Sequence, residues 1–161
     1  MEAAAAGFRD ALQRLADHSP ARSARPLAPP RATSRSAAVR GLVLASAPDA
    51  LRAYPGAISA VELRVRNQGA SRWISTPEPS GGHVGIGADI VSASGRPVGQ
   101  VLSASIPRDL EPGEEASLRL PVQAPLEPGD YSILPTIVHF GRRSRVVAGP
   151  PIALVVTADA A

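Results

Sequence analysis

The chain has 161 residues, no cysteine, and 17 basic residues that are all arginine; aromatics make up 3% of it and hydrophobic residues 44%. Disulfides, thiolate chemistry and cysteine-ligated zinc are excluded, and the length suits one domain plus an appendage with a core of Val, Leu, Ile and Ala. The formal charge of +3 is unevenly placed, because residues up to Arg40 carry seven Arg against three acids and the remainder ten Arg against eleven acids; no basic, aromatic-bearing face for nucleic acid is expected.

Seventeen prolines and fourteen glycines are more than a helical domain tolerates. They suit short strands joined by many turns. No apolar run reaches the roughly 18 residues of a membrane helix. Met1 to Asp17 lacks the positive start, apolar centre and cleavage site of a signal peptide. A cytoplasmic protein is the expectation.

Residues 1–17 read as a short amphipathic helix. Phe8, Ala11, Leu12 and Leu15 fall at helical spacing. Phe8, Leu12 and Leu15 form a candidate partner-binding face, although so short a helix is marginal alone and a frayed tail is the alternative. Residues 18–38 are rich in Pro, Arg and Ser and read as a flexible linker. Its arginines either meet an anionic surface or are simply solvated.

From residue 39 to 158 the pattern has period two. Val39, Leu42 and Leu44 suggest a first strand. The clearest strand has Val61, Leu63 and Val65 alternating with Glu62, Arg64 and Arg66, which gives one apolar and one charged face. Val84, Ile86, Ala88 and Ile90 follow, with Gly85, Gly87 and Asp89 on a bare outer face that a flat ligand or another backbone could approach. Ser94-Gly95 turns into a hairpin partner. Ala116, Leu118, Leu120 and Val122 alternate up to Pro121, a residue that belongs at an edge. Tyr131 to Phe140 is a long apolar strand broken by Pro135, and Pro150-Pro151 interrupts the last one. The fold class expected is all-β, an immunoglobulin-like antiparallel sandwich of about seven or eight strands.

Leu-Glu-Pro-Gly occurs at Leu110–Gly113 and again at Leu126–Gly129, and Pro-Gly suits the centre of a type II turn. Tyr131, two residues past the second motif, is the candidate structural corner.

Chemistry-bearing residues are sparse. His18, His83 and His139 are scattered, with His83 and Asp89 placed on opposite faces. No spacing supports a nucleophile with its base or a metal site. The chain is therefore expected to be no enzyme and to need no cofactor. Candidate ligand contacts are Trp73, the one tryptophan, Tyr54 in a loop, and Arg142, Arg143 and Arg145 at a hairpin tip. For Trp73, the largest apolar side chain in an aromatic-poor domain, a place in the core or at its rim is the favoured reading.

The stretch from Val61 to Val138 resembles a bacterial Ig-like domain. The resemblance is carried by Asn67-Gln68-Gly69 with Trp73, Ile106 to Glu114, and Ala124 to Tyr131. Such modules accompany glycosyltransferases and other surface-polysaccharide proteins. The last part is also similar to the carbohydrate-binding C-terminal domain of O-antigen ABC transporters. The resemblance implies a noncatalytic binding or accessory role, with a glycan or a glycosyltransferase or transport protein as partner. A protein-interaction module docking through the N-terminal helix or a sheet edge is the alternative.

Overall fold

The computed structural model describes residues 32–47, 50–142 and 144–158. The chain divides into two units, Met1–Pro30 and Arg31–Ala161. The helix expected over residues 1–17, with its Phe8, Leu12 and Leu15 face, lies outside the described residues, as does most of the expected linker.

The described residues hold nine strands and no helix: β1 (Gly41–Ala47), β2 (Ala50–Ala53), β3 (Ile58–Asn67), β4 (Val84–Ser92), β5 (Pro97–Ser105), β6 (Glu115–Gln123), β7 (Gly129–His139), β8 (Ser144–Val147) and β9 (Ile152–Val156). One sheet has the order β1-β3-β6. The other has the order β2-β9-β7-β4-β5, with β8 also paired to β7. The result is an all-β sandwich. Neighbours are antiparallel except β2 and β9, which run parallel.

Alternation decides which faces meet. On β3, Val61, Leu63 and Val65 are buried and the intervening Glu62, Arg64 and Arg66 are exposed. Across the register Glu62 sits opposite Arg119 and Arg66 opposite Glu115, and both pairs form surface ion bridges, at 3.3 and 3.9 Å. On β4, Val84, Ile86, Ala88 and Ile90 face the same core.

The first strand corrects its expected register. Val43, not Leu42 and Leu44, turns into the core, and Leu44 is 40% exposed. Pairing with β3 sets the face: Val43 lies opposite Val65 and Leu44 opposite Arg64, so the charged outer face of β3 takes Leu44 with it.

Prolines fall where a missing N–H costs least. β6 has β3 as its one neighbour, so Pro121 stands on an edge strand. Pro135 lies where the second neighbour of β7 changes from β9, paired over Gly129–Ile133, to β8, paired over Thr136–His139. The chain between β8 and β9 breaks at Ala148 to Pro151. There the Ala148 carbonyl accepts the Val43 N–H at 2.7 Å, joining the two sheets.

The two Leu-Glu-Pro-Gly motifs turn differently. Gly113 has φ +87°, and the Glu114 N–H donates to Glu111 at 3.0 Å, the closure of a type II turn. Gly129 is already in β7, paired with Val156. The second corner is closed instead by the Tyr131 hydroxyl, which donates to the Glu127 carbonyl at 2.8 Å.

Ordered packing begins before the expected boundary at Val39. Ser34 is fully buried. Its N–H donates to Arg72, and the Arg72 N–H donates to Ala32. This strap carries no apolar periodicity. Backbone hydrogen bonds hold it, and composition does not display those.

Candidate functional site

The outer face of the larger sheet is where polar groups converge. Gly85 and Gly87 were expected to leave it bare; instead both are buried. Without side chains, they form a trough that two other residues fill. The Phe140 ring lies over Gly85, 3.0 Å from where a Cβ would stand, and the Arg145 guanidinium lies over Gly87 at 3.4 Å. Arg145 comes from β8, opposite Val138 of β7. Its guanidinium is 2.8 Å from the Asp89 carboxylate. The amide of Gln100, which sits opposite Asp89 on β5, donates to the same carboxylate oxygen at 3.4 Å. Beneath, Thr136 pairs with Gly87 across the ladder, and its Oγ1 is buried without a hydrogen-bond partner.

His83 closes the row. Its ring stacks on Phe140 with centroids 4.1 Å apart and an interplanar angle of 5°. Burial, followed by repulsion from His139, pulls the His83 pKa below its ordinary value. The placement of His83 and Asp89 on opposite faces is corrected: six residues apart on a period-two strand, they share this face. Arg145 and Asp89 are both partly open to solvent, with side-chain exposures of 25% and 32%. The trough thus presents a carboxylate, a guanidinium and a carboxamide side by side, with an aromatic ring one residue-pair away.

Of the sequence-chosen contacts among the described residues, Arg145 alone belongs here. Trp73 as a ligand contact is corrected, because its relative exposure is 0%. Asn67 causes this. Its amide nitrogen donates to the Ser71 and Leu110 carbonyls at 2.8 and 2.9 Å, and its Oδ1 accepts the Gly69 N–H at 2.9 Å. The loop folds around that side chain, and Trp73 exchanges two backbone hydrogen bonds with Leu110. Its ring ends against Gly41. Asn67-x-Gly69-x-x-x-Trp73 is therefore a structural knot.

Tyr54 is 46% exposed, but it follows Ala53, which pairs with Val156 and through it with Gly129. That point is nine residues along β7 from Val138, or about 30 Å, so Tyr54 and Arg145 cannot share one small ligand. Arg142 donates to the Ser36 carbonyl at 2.7 Å while Arg145 lies back over the sheet, so the expected arginine cluster is split. Arg143 lies outside the described residues. Sequence reading passed over Gln100, Thr136 and Phe140. The available signal was the pair of alternate glycines at 85 and 87, which requires long side chains from neighbouring strands to cover them.

A second feature is an apolar groove of about 570 Å³ between the open sides of β5 and β6, lined by Ile58, Val98, Pro121, Pro125 and Leu126 with Ile90 at its floor. Ile58 and Leu126 are 74% and 79% exposed.

Elsewhere, polar groups serve the loops. Asp109 accepts the Ser75 N–H and hydroxyl, each at 2.8 Å. Burial tends to raise its pKa, but these bonds, Arg72 and Arg35 outweigh burial and hold the carboxyl below its ordinary value. Among the described residues no three His, Cys, Asp or Glu side chains gather to hold a metal ion, and no helix is long and apolar enough to cross a membrane.

The chain matches no protein-family model and no curated protein. Among solved structures it is similar to the C-terminal domain of Wzt, at 14% identity and a TM-score of 0.47, covering 73% of this chain and 70% of that one. It is also similar to a CARDB domain from Pyrococcus furiosus, at 17% identity and a TM-score of 0.37, covering 74% and 88%. Against a β-glucosidase from Listeria innocua the identity is 15% and the TM-score 0.41, and the chain spans 77% of itself but 17% of that enzyme. Likenesses at this level carry no argument about ligand, partner or activity.

Proposed function

We propose that the chain is a noncatalytic, immunoglobulin-like binding module that takes a glycan on the outer face of its larger sheet, as an accessory to surface-polysaccharide assembly or export. The immunoglobulin-like reading is supported by the strand order, β1-β3-β6 against β2-β9-β7-β4-β5, and by the Tyr131 corner. The polysaccharide setting is supported by the sequence resemblance over Val61 to Val138.

The observation that carries the ligand class is the Arg145–Asp89–Gln100 row on a glycine floor. Adjacent hydroxyls of a sugar need donors and acceptors alternating in one plane. A carboxylate between a guanidinium and a carboxamide supplies that alternation. Asp89 neutralises Arg145 within the row, which favours an uncharged sugar. A noncatalytic role is supported by the two described histidines, for Nε2 of His139 is engaged by the Ser34 carbonyl and the His83 ring by Phe140.

Arg145→Gln tests this reading. Affinity for a neutral oligosaccharide, measured by titration calorimetry, is expected to weaken at least about tenfold. Thermal stability should change by no more than about 1 kcal/mol, since the pair is partly solvated. Unchanged affinity in the variant would remove Arg145 from the site and the row with it.

A second reading, docking of a partner through a sheet edge, is favoured by the apolar groove between β5 and β6, which an extended peptide could enter. Leu126→Ser would weaken such a partner and leave glycan affinity intact.

A further inference from the structure

The strap ahead of β1 is fastened over two histidines. Ser34 makes most of the attachment. Its hydroxyl donates to the Gly82 carbonyl at 2.5 Å and accepts the Ile74 N–H at 3.0 Å. Its carbonyl accepts from Nε2 of the buried His139 at 2.6 Å. His83 follows Gly82 directly, and Gly82 packs against Arg35 of the strap, 2.5 Å from where a Cβ would stand. Nδ1 of His83 is buried without a partner.

Around this joint cations and acids are balanced, and each acid is already engaged. Arg35 lies on the strap and Arg142 reaches Ser36 from the turn after β7. Arg72, whose backbone holds the strap on both sides of Thr33, is already engaged by Asp109 at 3.2 Å and Glu111 at 3.9 Å. Glu78, from the loop before β4, is the acid paired to Arg35.

The geometry points to an acid-released strap: protonation of His83 detaches residues 32–36 from the loop edge at Ile74, Gly82 and His139 while the two sheets stay folded. A proton on His83 adds a positive charge to a joint whose acids are already paired, Glu78 with Arg35 and Asp109 and Glu111 with Arg72. It also makes the buried Nδ1 a donor with no acceptor, so the ring must leave the Phe140 stack to reach water. Gly82, joined to His83 by one peptide bond, moves with it and takes away the acceptor of the Ser34 hydroxyl. Release would free five residues ahead of β1, about 17 Å of chain when extended.

The sign follows from the depressed pKa of His83. Its contribution to holding the strap is complete above the unfolded value near 6.5 and is lost as pH falls below it. The test is amide hydrogen exchange on the full chain, expressed as protection relative to the unfolded chain. Between about pH 7.5 and about pH 5, protection of the Ser34, Arg72 and Ile74 amides is expected to fall about tenfold, while the amides of Leu63 and Val65 keep theirs. In His83→Phe, which retains the stack on Phe140 without a titrating nitrogen, strap protection should be flat across that range. Strap and β3 amides losing protection together, no loss in the parent chain, or an equal loss in His83→Phe would each overturn the proposal.

Discussion

Trp73→Ala is expected to cost about 4 kcal/mol, the range for removing a buried tryptophan side chain. The ring is fully enclosed and its far edge fills the space above Gly41. Its backbone is tied to Leu110, so the surrounding chain cannot collapse freely into the cavity. For a domain of this size the loss corresponds to a fall in Tm of about 15 °C, read by thermal denaturation. Tryptophan emission of the parent protein should be blue and protected from iodide. A Tm within about 2 °C of the parent, or a quencher-accessible emission, would contradict the enclosed position.

Gly149→Ala is expected to be nearly as damaging, at about 3 kcal/mol. A Cβ there would run into the Val43 carbonyl. A backbone atom cannot rotate away as a side-chain tip can. Either β1 or the Ala148–Pro151 crossing must move, and the Val43 N–H to Ala148 hydrogen bond between the sheets goes with it. Gly95→Ala is the control. Nothing lies within 4 Å of its added Cβ, and its φ of +78° leaves only the backbone preference to oppose the change, worth about 1 kcal/mol. Equal denaturation midpoints for the two variants would mean that β1 does not press on Gly149.

Most of the sandwich was legible from alternation. Val61, Leu63 and Val65 could be assigned to the core because charged residues separate them. Val84 to Ile90 showed the same period. Where alternation is weak it misled. Gly-Leu-Val-Leu-Ala at the start of β1 has apolar residues on both faces, and the partner strand chose between them. The strap around Ser34 was invisible, since hydrogen bonds of the backbone leave no mark on composition. The candidate site was half legible. Arg145 and the alternate glycines were noticed separately. Their meeting depends on β7 lying between β8 and β4, a three-strand arrangement that no local pattern encodes. For Trp73 the sequence favoured the core while keeping a ligand contact open, and Asn67, read as a strand-ending turn residue, is what encloses it.

The most direct measurement of the glycan-binding reading is a two-dimensional amide NMR titration of the full chain with neutral and acidic bacterial oligosaccharides. Saturable shifts with a neutral glycan, confined to Gly87, Asp89 and Arg145, are the expected result. No shift with any glycan, or shifts gathered at Ile58, Val98 and Leu126 instead, would contradict it.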